Sequence, residues 1–484
     1  METIKLYNTQ SRAIEVVVPQ HIDNVLRIYC CGPTVYHYAH IGNFRTFLIQ
    51  DILRRLLLAM GHRLRFVRNL TDVDDKTIHG AQRENTSLEN FTAQWTHIFH
   101  TDCQELNILD PDVEPRATEH IGEQIAMIET LIRKKHAYVV SEGSVYFRIS
   151  SYTAYGKLSG IDRQSLQNNE HGATQADLAD EYGRDSIRDF ALWKAYKPED
   201  GAVFWESPWG KGRPGWHIEC SAMAMKYLGE TIDIHGGGID LCFPHHENEI
   251  AQSVCVTGKP FVRHWFHSEH LQVDGQKMSK SLGNLFTLKD LKNKGYGVHA
   301  IRYALISGHY RQILNFTLSG LDAAQSALNK LKTKIMHLFQ GCDFSPAIAT
   351  NFPSQAVITY EYLRGAIEAL KCDLNVPQCL GEIFAVLNNA TVGNEQLWKE
   401  LQTVCSILGI ETYLFDREEP RIVEIPRDIE ILAARRWQAK QDKNFKESDH
   451  LRRLLMEQGW SIIDHQEGYR LEKKRDPIID AAKN

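Results

Sequence analysis

Apolar residues in this chain fall into two kinds of run, and their alternation lays out an architecture. Val25-Leu26-Arg27-Ile28-Tyr29-Cys30 reads as a buried strand that ends in the loop Cys31-Gly32-Pro33-Thr34. Phe44, Phe47, Leu48, Ile52, Leu53, Leu56 and Leu57 then recur at helical spacing, with Gly61 placed to stop the helix. Leu64-Arg65-Phe66-Val67 follows as a second strand. Such a β-α-β unit predicts an α/β fold built on a Rossmann-like, doubly wound parallel sheet. It sets His40-Ile41-Gly42-Asn43 at a helix N-terminus beside strand carboxyl ends, where these sheets bind nucleotides.

The pattern changes further along. Residues from about 119 carry a helical stretch and a hairpin-like pair, Tyr138-Val139-Val140 and Ser144-Val145-Tyr146-Phe147, before a polar Gln/Asn/Asp-rich run. The expected division has 1–118 and 198–265 as halves of the nucleotide-binding fold, with 119–197 as a connective insertion. Residues 266–317 carry a lysine-rich loop, 318–425 show mostly helical periodicity and end in a linker, and 426–484 form a small C-terminal domain. No apolar run approaches the 18 or so residues that a membrane span needs.

Composition adds limits. A chain of 484 residues is too long for one core, so about three or four domains are expected. Net charge is −6, from 55 basic and 61 acidic residues, which excludes indiscriminate polyanion binding as the main activity. An RNA ligand would need a local basic patch, and 435–453 supplies one. Arg435, Arg436, Lys440, Lys443, Lys446, Arg452 and Arg453 face only three acidic residues there, with Trp437, Phe445 and Trp460 interleaved. Flat rings among cations suit unpaired bases, while an amphipathic helical hairpin with a solvated basic face explains the same pattern. The ten cysteines show no disulfide framework; Cys103, Cys255, Cys342, Cys372, Cys379 and Cys405 are expected as buried small hydrophobes. Met1-Glu2-Thr3-Ile4-Lys5 lacks a secretory pattern, so a cytoplasmic location is expected.

Chemistry concentrates in a few segments. Lys277-Met278-Ser279-Lys280-Ser281 follows the Asp274-Gly275 turn, and such a loop can close cations and hydroxyls over separating phosphates. Asn69-Leu70-Thr71-Asp72-Val73-Asp74-Asp75-Lys76 gathers carboxylates that suit pocket-ordering hydrogen bonds better than magnesium ligation. His235 and Asp240 bracket a triple glycine, read as flexible. The turn after strand Val25–Cys30 carries no G-x-G-x-x-G and no G-x-S-x-G occurs in the chain, which argues against a dinucleotide cofactor and a serine hydrolase. Cys31, Cys220, His245 and Glu249 have metal-ligand chemistry; the i,i+4 spacing of the last two puts them on one helix face. Mixed thiolate, imidazole and carboxylate donors suit zinc, although a surface His–Glu pair with core cysteines fits the spacing too.

The tetrapeptide at His40 and the pentapeptide at Lys277, in that order, resemble the two signature motifs of class I aminoacyl-tRNA synthetases. Gly215 to Met223 and His235 to Glu249 narrow the resemblance to the cysteinyl-tRNA synthetase family. It implies ATP-dependent ligation of L-cysteine to tRNA(Cys) through a cysteinyl-adenylate, by a monomer that uses ATP with Mg²⁺ and holds one Zn²⁺. Carried over residue by residue, it implies zinc ligands Cys31, Cys220, His245 and Glu249, and Trp216 with Cys31 beside the substrate side chain. His40, Asn43, Lys277 and Lys280 become catalytic, with Thr34, His40, Asn43, His235, Asp240 and Lys280 around ATP. Lys440, Phe445, Asp449 and Asp464 match anticodon-reading positions in an anticodon-binding C-terminal domain. Asn43 departs from the histidine that many class I members carry, and Lys440 stands where some relatives have arginine.

A metal would answer a chemical problem. Shape alone separates cysteine from serine by about 1–3 kcal/mol. A zinc-bound thiol is deprotonated, and a thiol ionises near pKa ~8.5 against ~15.7 for water as a hydroxyl proxy. That gap is worth roughly 10 kcal/mol at ~1.36 kcal/mol per unit. Two other readings fit less of the chain: a zinc-dependent ligase joining cysteine to a small amine, and a zinc-stabilised RNA-binding protein that has lost catalysis.

Overall fold

The computed structural model describes residues 3–160, 189–278, 283–340, 342, 360–415, 426–442, 444–465 and 468–473. The chain divides into two compact units, residues 1–288 with 297–415 and residues 289–296 with 416–484.

In the first unit four parallel strands lie in the order Val262–Ser268, Ile232–Gly238, Val25–Cys30, Arg63–Arg68. Ile28 pairs with Phe66 on one side and Ile234 on the other. The strand order therefore reverses beside Val25–Cys30, and a doubly wound sheet opens its ligand crevice at such a point. Leu26, Ile28 and Tyr29 are almost wholly buried, as a parallel strand covered on both faces requires. Helix Ile41–Ala59 buries Phe44, Leu48, Ile52 and Leu56, each worth roughly 1.5–3 kcal/mol. Gly61, at φ 79°, follows its cap, as the sequence predicts.

The segment between the sheet's halves builds an antiparallel sheet of Ala137–Val139, Val145–Phe147, Phe190–Ala195 and Gly212–Pro214. The expected hairpin is present, and Phe147 stacks on Phe190 with ring centroids 5.0 Å apart. Its fourth strand lies beyond residue 197. The polar run at 161–188 falls outside the described residues. After the parallel sheet, Leu271–Val273 pairs antiparallel with Gln276–Lys277 and parallel with Leu314–Phe316. Asp274 and Gly275 make the tight turn with φ of 50° and 75°. Helices Leu318–Leu338, Arg364–Lys371, Val376–Asn389 and Glu395–Leu408 supply the expected helical region.

The second unit contains helices Arg427–Gln441 and Phe445–Glu457 and a hairpin of Trp460–His465 with Gly468–Lys473. Ile429, Ala433, Leu455, Trp460 and Ile462 form its core. Most of the linker expected before it, residues 418–425, falls outside the described residues.

All ten cysteines are free thiols. Cys103, Cys255, Cys379 and Cys405 are buried as expected, but Cys342 is half-buried and Cys372 is exposed. Cys372 ends helix Arg364–Lys371 at a turn whose next residue, Asp373, donates its N–H to the Lys5 carbonyl at 2.8 Å. Among the described residues no helix is long and apolar enough to cross a membrane.

Candidate functional site

Three segments converge at the carboxyl ends of the two central strands. Cys31 directly follows Val25–Cys30, and its N–H bonds the Gly236 carbonyl at 3.1 Å. Cys220 lies one turn into helix Trp216–Leu228, and His245 and Glu249 occupy the first turns of helix His245–Thr257. All four side chains are buried, with one donor atom from each within 4.8 Å of the others. The Cys31 and Cys220 sulfurs are 4.0 Å apart. Tetrahedral zinc, with Zn–S near 2.3 Å, would set them about 3.8 Å apart. His245 Nε2 lies 3.1 Å from Glu249 Oε1, which lies 3.9 Å from the Cys31 sulfur. Two thiols, one imidazole and one carboxylate at these separations fit a zinc ion, and the alternative of an exposed His–Glu pair is gone.

The electrostatics are those of a crowded buried site. Cys31 hydrogen-bonds Cys220 and lowers its pKa to about 6 against the effect of burial, while burial raises Cys31. Burial would raise Glu249 too, yet facing His235 and His245 bring it down to about 2. Trp216 lies over His245, ring centroids 4.4 Å apart, and is partly exposed at the rim. Asn69 Oδ1 accepts the Gly32 N–H at 3.0 Å and meets the Cys220 thiol at 3.7 Å, so its loop closes one wall.

Sequence reasoning missed a second tier of imidazoles. His246 Nε2 lies 3.4 Å from the Cys31 sulfur, and its Nδ1 lies 2.7 Å from His267. His217 and His245 meet Nδ1 to Nδ1 at 3.0 Å. Only the His245-His246 doublet was a signal, because the partners come from separate elements.

The other side of the crevice is helix N-terminus and hairpin. His40 caps helix Ile41–Ala59: its Nδ1 accepts the Asn43 N–H, while Asn43 Oδ1 accepts the His40 N–H, both at 3.1 Å. With Nδ1 accepting, the neutral imidazole carries its proton on Nε2. Asn43, whose contribution was open from sequence, completes a capping box. The lysine-rich segment lies beside it. A Cβ at Gly42 would stand 2.6 Å from the Met278 methyl, so the glycine makes room for that side chain. The Ile41 N–H bonds the Phe286 carbonyl at 2.9 Å, and His40 bridges Thr287. The two signature segments are therefore neighbours. Lys277 is exposed, while Ser279, Lys280 and Ser281 fall outside the described residues.

Thr34 lies in the loop after Cys31 and bridges Thr71; Asp240 is exposed just beyond strand Ile232–Gly238. The triple glycine is not a flexible link. Gly236, Gly237 and Gly238 are buried strand residues, and a Cβ on Gly238 would meet the Asp240 carboxylate at 2.3 Å. His235 does not share the exposure of Asp240. It is fully buried, its Nε2 is 3.0 Å from Glu249 Oε2, and its ring stacks on Trp265. Alternation along the strand turns it toward the metal-site helix instead. The acidic segment orders structure: Asp72 accepts from Thr118, Asp74 caps helix Asp75–Arg83, and Asp75 pairs with Lys194 and Arg213.

In the second unit Phe445 is 62% exposed, Asp449 is exposed, and Lys440 lies with its Nζ 5.6 Å from the Trp437 ring. Trp460 is buried in that unit's core, and Trp437 packs against Tyr469, leaving Phe445 as the open ring of the three. Asp464 is the fifth residue of strand Trp460–His465, its side chain outside the described set.

Residues 17–326 match the catalytic domain of class I (C) tRNA synthetases. The cysteine–tRNA ligase of Opitutus terrae is 49% identical over 97% of this chain and 99% of its own. The chain belongs to the cysteine–tRNA ligase family of class I synthetases. The Protochlamydia amoebophila member is 44% identical over 97% of this chain and 98% of its own. Solved structures of more distant synthetases share the fold. Mycobacterium tuberculosis methionyl-tRNA synthetase with methionyl-adenylate has a TM-score of 0.54 at 14% identity, covering 81% of this chain and 91% of its own. An Agrobacterium radiobacter leucyl-tRNA synthetase complex reaches 0.54 at 12%, covering 82% and 86%.

Proposed function

We propose that this protein joins L-cysteine to tRNA(Cys), as a cytoplasmic monomer, in two steps. The cysteine carboxylate attacks the α-phosphorus of ATP, which would be taken up with Mg²⁺, and displaces pyrophosphate. A ribose hydroxyl of the terminal adenosine then attacks the cysteinyl carbonyl and releases AMP. Family membership supports the reaction. The observation that carries the amino-acid specificity is the buried meeting of Cys31, Cys220, His245 and Glu249 at the sheet's switch point.

Cys31, Cys220, His245 and Glu249 would hold zinc, which supplies a Lewis acid that ionises a thiol and leaves a hydroxyl protonated. Trp216 covers the site beside His245 and limits the side chain that fits. His40 presents its Nε2–H, and the positive end of its helix dipole faces the place where phosphate charge accumulates. Lys277 and Lys280 neutralise the same charge from the hairpin, and Thr34 and Asp240 border the nucleotide. His235 orients Glu249 rather than the nucleotide. Phosphoryl chemistry of this kind rests on positioning and charge more than on a protein nucleophile. Phe445, Lys440, Asp449 and Asp464 would read the anticodon.

The test is charging of tRNA(Cys) by the purified protein with labelled cysteine or serine, alongside metal analysis. One zinc per chain and rejection of serine by a factor of 10⁴ or more is the expected result. Cysteine-dependent ATP–pyrophosphate exchange without transfer to tRNA would point to a small-molecule ligase. Acceptance of serine, or absence of zinc, would end the metal-recognition reading.

A further inference from the structure

Arg45 lies in helix Ile41–Ala59, two residues beyond Asn43, and its guanidinium is buried. Nη1 donates to the carbonyls of Glu269 at 2.6 Å and His270 at 2.9 Å. Nη2 donates to those of His309 at 3.1 Å and Gln312 at 2.7 Å. All four of these acceptors are main-chain oxygens, and they belong to two different segments. Glu269-His270 leads from strand Val262–Ser268 into Leu271–Val273, whose hairpin partner ends in Lys277. His309 to Gln312 leads into Leu314–Phe316, the strand on the other side of Leu271–Val273. The two segments also bond each other, Glu269 N–H to Tyr310 O at 2.7 Å and Leu314 N–H to His270 O at 3.2 Å.

Burying a guanidinium against carbonyls costs desolvation that a neutral side chain would not incur, and burial lowers its pKa to about 10 despite the nearby Glu269. What the fork provides is geometry. A planar group with two parallel donor pairs spans the root of the hairpin and the root of its neighbouring strand at once, which a lysine ammonium does not. The helix that Arg45 projects from is the one His40 caps, so one side chain ties the phosphate-facing turn to the base of the lysine hairpin. The same helix also meets this region through Thr46 Oγ1, 2.9 Å from Ser268 Oγ, and through its main chain, Ile41 N–H to Phe286 O, on the far side of the loop.

We propose that Arg45 is a positioning residue for adenylate formation, setting the register of the Lys277 hairpin against the His40 turn. The proposal rests on the ligase reading above. It places Arg45 in the rate of the phosphoryl step and outside cysteine recognition, since none of these contacts involves Cys31, Cys220, His245 or Glu249. A displacement of about 1 Å between reacting groups costs up to ~10²-fold in rate.

The test compares wild type, R45K and R45A as full-length proteins in cysteine-dependent ATP–pyrophosphate exchange. The Co²⁺-substituted forms are titrated with cysteine alone to read the metal-site absorption, and trypsin cleavage after Lys277 is timed. The expected result for R45K is a kcat for exchange lower by about 30- to 100-fold, with KM for cysteine and the cobalt–cysteine spectrum unchanged and cleavage faster. If R45A does not fold, R45K carries the comparison. R45K with wild-type kcat, or with cysteine binding lost in parallel with kcat, overturns the proposal. Wild type without exchange would instead overturn the ligase reading.

Discussion

Asn43 shows how one side chain can be rebuilt without losing a site. Its amide oxygen accepts the His40 main-chain N–H while the His40 ring accepts the Asn43 main-chain N–H, so the turn that carries the imidazole is closed in both directions. Asn43→Ala removes the return bond; about 1 kcal/mol of stability and roughly tenfold in ATP–pyrophosphate exchange should go with it. Asn43→Asp, which keeps the acceptor, should lose less, and equal losses would mean the bond is irrelevant. Cys220 offers a sharper case. Cys220→Ser keeps the shape but removes a soft ligand from a buried set of four. Zinc measured by atomic absorption should fall below one per chain and cysteine activation should drop at least 10²-fold, with circular dichroism unchanged. For Lys280→Ala the expectation is at least 10²-fold less exchange at unaltered zinc content.

Between elements, the load is borne by buried ionic contacts that no linear pattern displays. Asp51 on helix Ile41–Ala59 bonds Arg55 at 2.8 Å, Arg302 at 2.7 Å and the Leu109 N–H at 2.9 Å. Arg55 reaches the Ser406 carbonyl and Arg302 that of Leu408, both at the end of helix Glu395–Leu408. The helix His40 caps is thereby locked to the helical bundle. Burial alone would raise the Asp51 pKa, but Arg55 and Arg302 outweigh it and hold the folded value below the ordinary carboxylate range. Because the folded pKa is lowered, this stability is fully present above pH ~4 and is lost as pH falls through the folded value. Asp51→Asn should cost about 3–5 kcal/mol at pH 7 by leaving two arginines under-compensated, and should flatten the acid limb of a Tm-versus-pH profile. An unchanged profile would show that the pair does not govern acid unfolding. From the sequence the strand Val25–Cys30, the helix after it and the insertion's hairpin were legible, since apolar period and turn residues are local signals. The surroundings of His235 were not legible, because the face a strand residue turns to depends on sheet neighbours.

At the scale of the whole molecule, two units serve one proposed reaction. The second unit exposes Phe445, and Arg435, Lys446, Arg452 and Arg453 are exposed in the same unit, while Trp460 and Arg436 are buried. Phe445→Ala should raise KM for tRNA by roughly tenfold, about 1–3 kcal/mol of base stacking, and leave ATP–pyrophosphate exchange untouched. A matched fall in exchange would reveal a structural role instead. By itself the sequence determined the parallel α/β class, the order of its segments, the two signature motifs and the four donor residues, because each rests on neighbours in the chain or on a family pattern. Tertiary structure alone decided that Cys31, Cys220, His245 and Glu249 share one buried point, that a tier of histidines backs them, and that Arg45 ties a helix to a hairpin more than 220 residues away. Those facts follow from chain closure over long separations, where the free energy of packing chooses the partner.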